Sequence, residues 1–222
     1  IDPFRLENMI NRIIILFKIA RKIGSSDIIE IVDRSHKVPF FIKLFFNLVS
    51  LSFSKNQKKT DRTNDLSSTI QDLGTTFIKL GQFLATRPDI IGEELTKNLE
   101  KLQDKLPPFS KSLAENIIKE ELGELTSKNI IEFSDPIAAA SIAQVHKAKI
   151  NEGNTIKDVA IKVLRPNIKE IFNSEIDAIM MLAYLVETLI PKTKRLKLIE
   201  VVFLFKEITN HEMDLRFEAA AA

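Results

Sequence analysis

Residues 136–164 read PIAAASIAQVHKAKINEGNTIKDVAIKVL, and the reading of this stretch decides the fold. Ser141–Ile150 and Asp158–Leu164 are short and rich in β-branched residues. The turn signal Asn151-Glu-Gly-Asn154 lies between them. Together with Ile130–Phe133 just upstream, they predict short strands joined by tight connections, an antiparallel meander.

On both sides of the strands the apolar period changes to that of a helix. Upstream, Ile70, Leu73, Phe77, Leu80 and Leu84 step by three and four residues, predicting one helix with one buried stripe, stopped by Arg87-Pro88. A second helix is expected over 93–104, closed by Pro107-Pro108, and a short one over 112–122, ended by Gly123. Downstream, Ile168, Ile171, Phe172, Ile176, Ile179, Met180, Ala183, Val186 and Leu189 mark another helix. After Pro191 a last helix is expected from about Leu196 towards Glu218. At the N-terminus, helices over 8–22 and 39–53 flank a loop at Gly24-Ser25-Ser26, and the polar stretch 54–68 reads as a linker. Helices, then strands, then helices give an α+β fold. Three segments follow: a basic helical segment 1–65, a helical extension 66–123, and a strand-containing lobe 124–222.

Composition narrows the function. The 222 residues are 45% hydrophobic and 28% charged, enough for one ordinary domain or two small ones and unlike a disordered chain. With no cysteine, a disulfide scaffold and any cysteine-ligated metal are excluded. The three histidines, His36, His146 and His211, are far apart, and no metal site is read. A net charge of +2 is too balanced for a general nucleic-acid binder. The charge is uneven, however: residues 1–60 hold eleven Lys/Arg against five Asp/Glu, and the remainder 21 against 25. The apolar run Val38–Phe53 is sixteen residues long and interrupted by Lys43 and Asn47. That is short of the roughly 20 residues that span a bilayer. It suits a helix lying in a membrane interface, or one packed on the body with its lysines at the rim. No secretory signal is evident.

Four groups of residues could carry chemistry. Lys162 stands inside the apolar Val159-Ala-Ile-Lys-Val163, and a lysine there needs a partner or an exposed face. Kinase-like strands use such a lysine to hold nucleotide phosphates, paired with a glutamate on a helix. Ala138, Ala139, Ala140 and Ser141 form a small-residue turn, stiffer than the glycine-rich one a phosphate loop commonly has, or simply a plain hairpin. Thr75, Lys79, Gln82 and Thr86 share a helix face opposite the apolar stripe. Gly81 lies beside that stripe, where it permits close packing; a solvated polar face is the alternative. Glu212 continues the stripe of Leu198, Val202, Phe205 and Ile208, and an acid there demands a partner. Asp214 and Glu218 are i, i+4 neighbours if the helix is continuous; if it ends near Thr209-Asn210, the acids are simply exposed.

Taken in order, these pieces resemble the UbiB family of atypical kinase-like proteins, associated with ubiquinone biosynthesis. The matching text is Leu73-Gly74 with Phe77-Ile-Lys-Leu-Gly-Gln82, Thr86-Arg-Pro-Asp89, Leu102-Gln-Asp104 with Pro107-Pro108, and Ala138-Ala-Ala-Ser-Ile-Ala-Gln-Val-His146. It continues with Val159-Ala-Ile-Lys162, Arg165-Pro166 and Glu212-Met-Asp-Leu-Arg-Phe-Glu-Ala219. The resemblance covers about 70–222 and implies a kinase-like N-lobe behind a helical extension.

The resemblance also implies roles. Lys79 and Gln82 fall on the family's KxGQ element, a helical extension folded over the active site, and Glu212 and Asp214 on the ExD element that contacts it. Ala138, Ala139, Ala140 and Ser141 fall on the alanine-rich nucleotide loop, Lys162 on the phosphate-contacting lysine and Glu218 on its helix partner. The implied cofactor is ATP or ADP with Mg²⁺. The implied partners are a membrane surface or lipid ubiquinone precursor and ubiquinone biosynthesis proteins, with no nucleic acid. The implied location is the cytoplasmic face of the bacterial inner membrane, or alternatively the mitochondrial matrix side. The sequence departs from the pattern in one respect. It contains no His-Arg-Asp-like segment and no Asp-Phe-Gly, so it reads as the N-terminal part of a longer protein, and no catalytic residue is assigned within it. A catalytically silent lipid- or partner-binding scaffold on the same fold is the competing reading.

Overall fold

The computed structural model describes residues 6–24, 66–102, 106–153 and 155–221. In chain order these form α1 (Leu6–Gly24), α2 (Leu66–Leu73), α3 (Thr75–Ala85), α4 (Pro88–Ile91), α5 (Glu93–Leu99) and α6 (Lys111–Ser127). Next come β1 (Ile130–Ala139), β2 (Ala143–Glu152), β3 (Thr155–Leu164), α7 (Ile168–Leu189), a 3₁₀ turn (Pro191–Leu196), α8 (Leu198–Glu212) and α9 (Leu215–Ala221). The fold is α+β, as expected. The expected helix 39–53, the Val38–Phe53 stretch and residues 54–65 of the linker lie outside the described residues. No described helix is long and apolar enough to cross a membrane.

The chain divides into two compact units that do not follow its linear order. The first takes the residues up to Leu102 together with Ile171–Thr209; the second takes Gln103–Glu170 and Asn210–Ala222.

In the first unit, the single helix expected through Leu73 and Phe77 is two. Gly74 separates α2 from α3 with φ 112° and ψ −179°, a backbone region open essentially to glycine. The break rotates the second half, so the residues buried there are Thr76, Ile78 and Gly81, while Phe77, Leu80 and Leu84 are only half-buried. Gly81 does permit close packing: a Cβ there would collide with Leu102 Cδ1. Leu102 is buried with Leu95 and Leu99, and Ile70, Leu84, Ala85 and Ile91 pack against the three. A second apolar centre gathers round Phe205, whose ring lies 5.5 Å from Phe83 and 5.6 Å, edge-on, from Phe172. Asp177 of α7 ties this unit's helices by charge, 3.3 Å from Arg12 of α1 and 3.6 Å from Lys206 of α8.

In the second unit, the strands form an antiparallel sheet of order β1-β2-β3. All three strands run ten residues, longer than expected for β1 and β3. β1 reaches Ala139 because register shifts on either side of Pro136 absorb the missing N–H of the proline on an edge strand. One face packs on α6, where Ala114 and Ile118 are buried with Val163, flanked by Phe109, Ile117, Ile130, Phe133 and Ile161. The helix expected to end at Gly123 does break there, at φ 77°, although helical turns resume as far as Ser127.

The expected continuous last helix is also two. α8 ends at Glu212, Met213-Asp214 turn, and α9 follows. The buried row of α8 runs Val202, Phe205, Thr209 rather than through Ile208, so its next member, four residues on, is the buried Met213. Glu212 therefore leaves the apolar stripe and is exposed.

Candidate functional site

Residues paired across antiparallel strands share a face, and the register decides which residues join Lys162. Lys162 is opposite Val145, and Val145 is opposite Ala138, so the three form a row across the sheet. Ala160, two residues before Lys162, and its partner Lys147 lie in the adjacent row on the same face. The other face carries Gln144 opposite Val163 and His146 opposite Ile161, on the side that packs on α6. Lys162 thus avoids the apolar core altogether. Its side chain is 34% exposed.

Its partner is the expected one. Lys162 Nζ donates to Glu218 Oε2 at 2.6 Å, from the fourth residue of the short α9. Glu218 is 62% exposed, so the pair is screened by water and holds geometry more than it stabilises. The result is a cation with an acid at its side and an apolar floor, Val145 and Ala160, next to it.

The alanine-rich turn is shorter than expected. Ala138 and Ala139 belong to β1, leaving Ala140, Ser141 and Ile142 to make the connection, closed by the Ala140 N–H on Ala143 O at 2.8 Å. Ser141 is wholly buried and Ile142 nearly so. Asp214 begins α9 as its cap. Its Oδ1 accepts from the Arg216 N–H at 3.2 Å and from Arg216 Nε at 2.8 Å, and Arg216 Nη2 reaches Oδ2 at 2.5 Å. This bonding by Arg216 pulls the Asp214 carboxyl from its ordinary 3.8 to about 2, with a smaller contribution from the charge of Lys169. Since α8 and α9 are separate, Asp214 and Glu218 are not i, i+4 neighbours on one continuous helix; they are the cap and the first turn of α9. Lys79 and Gln82 sit half-buried on α3 in the first unit, whereas Glu212 and Asp214 belong to the second.

Residues 101–222 match the family model of the ABC1 atypical kinase-like domain. The chain belongs to the ABC1 atypical kinase-like family. It is 37% identical over 187 residues to a probable protein kinase UbiB of Marinobacter nauticus, covering 84% of this chain and 34% of that protein. The namesake from Pseudomonas paraeruginosa is 34% identical over 209 residues, 93% of this chain and 39% of the relative. That from Pseudomonas aeruginosa is 40% identical over 154 residues, 69% and 28% respectively. The chain spans about a third of the length of the curated relatives it matches. No solved structure matches it. The ABC1 match takes in β1–β3, α6 and α7–α9, the elements that build the Lys162 face.

Three residues of this region escaped sequence reasoning. Ala160 was available from the two-residue period of a strand that carries Lys162. Val145 was not, because only the β2–β3 register places it beside the lysine. Arg165 was visible as part of Arg165-Pro166, but its bonding partners are 25 and 58 residues away in sequence.

Proposed function

We propose that the Lys162 face binds an adenine nucleotide, as the N-lobe half of an ATP-binding, kinase-like ATPase site supporting ubiquinone biosynthesis at a membrane. The observation that carries this reading is the row Ala138–Val145–Lys162, flanked by Ala160 and closed by Glu218. The ammonium of Lys162 would meet phosphate charge, and Glu218 would hold it in place without burying it. Val145 and Ala160 are apolar and small enough for a planar base to lie on them. Family membership and relatives named probable protein kinase UbiB support the assignment. Mg²⁺ would come to the intact protein on the nucleotide's phosphates, with one or two carboxylates completing its shell; among the described residues no group of three His or acidic side chains stands together.

In this reading Lys79 and Gln82 form the KxGQ element of the family pattern, and Glu212 and Asp214 its ExD element. The proposed setting is the cytoplasmic face of the bacterial inner membrane, or the matrix side of the mitochondrial one, with a lipid precursor and ubiquinone biosynthesis proteins as partners. The 222 residues hold no catalytic loop of the His-Arg-Asp kind, so this polypeptide alone binds nucleotide without turning it over.

The test is ADP titration of the 222-residue chain and of Lys162→Met, with urea unfolding of both. Lys162→Met should weaken ADP binding about tenfold or more. It should move stability by no more than about 1 kcal/mol, as befits an exposed pair. Phosphate release from ATP should not exceed that of the variant. Equal ADP affinity in both proteins, or none in either, would overturn the nucleotide reading and leave the scaffold one.

A further inference from the structure

We propose that Arg165 is a positioning residue that joins the alanine-rich turn to the Pro107–Phe109 strap, so that the two move as one element. Arg165 directly follows β3, and Pro166 after it favours an extended backbone at Arg165. Its main-chain N–H donates to Ile142 O at 2.9 Å, extending the sheet ladder by one bond into the turn. Its guanidinium then does two things. Nε and Nη2 both donate to Ala140 O, at 3.2 and 2.8 Å, and Nη2 also donates to Pro107 O at 3.0 Å. Nη2 carries two hydrogens, so both acceptors are served without competition. The Cζ of the same group lies over the Phe109 ring, 5.9 Å from its centre.

The strap is held a second time, from beneath. The Phe109 N–H donates to Gln144 Oε1 at 2.9 Å, and Gln144 Nε2 donates to Phe109 O at 3.1 Å. The second hydrogen of Nε2 points to His146 Nε2 at 2.9 Å, which must then accept, and His146 Nδ1 donates to Ser134 O at 2.9 Å. Gln144 and His146 are wholly buried, so this row has no water to fall back on. Phe109 is thereby fixed to the central strand, and Arg165 links that anchored segment to Ala140. Ala140, the alanine left in the turn, resists the positive φ that would let the turn flip independently. A displacement at Ala140 is therefore passed to Pro107. A lysine ammonium has donors enough for both carbonyls. It lacks the Nε that shares Ala140 O with Nη2 and the guanidinium carbon that lies over the Phe109 ring, so it would reproduce the joint only in part.

The joint itself needs no ligand; that phosphates meet the turn rests on the nucleotide reading above. Amide hydrogen exchange on the nucleotide-free 222-residue chain tests the joint directly. With Arg165→Ala, the Ala140 and Phe109 amides should both exchange about tenfold faster or more, as expected for loss of charge-assisted hydrogen bonds, while the β2–β3 ladder stays protected. If the ladder also opens, Arg165→Met is the variant to read, because it keeps the aliphatic stem and loses every donor of the bridge. The joint is overturned if, with the ladder intact, either amide keeps its wild-type rate. ADP titration of Arg165→Met reads the functional consequence, an affinity about tenfold weaker. A wild-type chain that binds no ADP would sink the nucleotide reading alone, and the exchange rates would still decide the joint.

Discussion

Gly81 and Gln82 are adjacent, yet opposite demands act on them. Gln82 is half-buried and polar, while Gly81 exists as glycine because Leu102 occupies the space a side chain would need. Alanine would raise helix propensity by about 1 kcal/mol, but it would force aside a leucine buried among Leu95, Leu99 and their neighbours. Overpacking of that kind costs about 1–3 kcal/mol, so Gly81→Ala should lower stability by about 1 kcal/mol net, and Gly81→Val by more. Urea unfolding midpoints measure it; an Ala variant as stable as wild type would mean that Leu102 repacks freely. Lys162 illustrates the reverse case. Its charge is available because it points away from the core of its own strand, not because a buried partner neutralises it.

At the scale of elements, two breaks in expected helices make the architecture. Gly74 turns α3 away from the line of α2 in a conformation that costs other residues about 1–3 kcal/mol, so Gly74→Ala should destabilise by that order even though no atom crowds the position. The second break, at Met213-Asp214, creates α9 and so places Glu218 near Lys162. The Asp214 cap makes this element pH-dependent. Its carboxyl sits at about 2 when folded, below its ordinary 3.8, so the folded state binds the proton less readily than the unfolded one. The stabilisation is therefore complete above about pH 4 and disappears as pH falls towards 2. Protection of the Leu215–Ala221 amides, measured against their intrinsic exchange rate at each pH, should fall across that range in the wild type and be low already at neutral pH in Asp214→Ala. Because Arg216 is largely exposed, high salt should weaken the effect.

At the scale of the molecule, the first unit depends on residues far apart in sequence. Phe83 on α3 meets Phe205 on α8 although all three strands lie between them in sequence. Truncating Phe205 to alanine removes a side chain that is 1% exposed and its contacts with both Phe83 and Phe172. The expected loss is about 3–5 kcal/mol, a large part of the roughly 5–15 kcal/mol that holds an ordinary domain. Calorimetry of Phe205→Ala should show either a melting temperature lowered by many degrees or no cooperative transition. An unchanged melting profile would mean that this aromatic centre contributes little.

The order of elements, the strand lysine, the small-residue turn and the family were all legible in the residues, because period, turn chemistry and motif text are local properties of a chain. Even the Lys162–Glu218 partnership was expected on this basis. The breaks at Gly74 and Met213 were not. Each turns on a one-residue shift of the buried row, and packing settles such a shift where propensity leaves it open. The faces of the sheet were equally out of reach. Which of Val145 and Gln144 stands beside Lys162 depends on register, and a slip of one residue exchanges the faces. Arg165 makes the point most plainly: its side chain serves Ala140 and Pro107, carbonyls that only the folded chain brings within 3 Å of Nη2. The sequence by itself determined what kind of protein this is and which residues could do chemistry. The tertiary structure decided which of them stand together, because register, helix breaks and long-range hydrogen bonds are settled by burial across the whole fold.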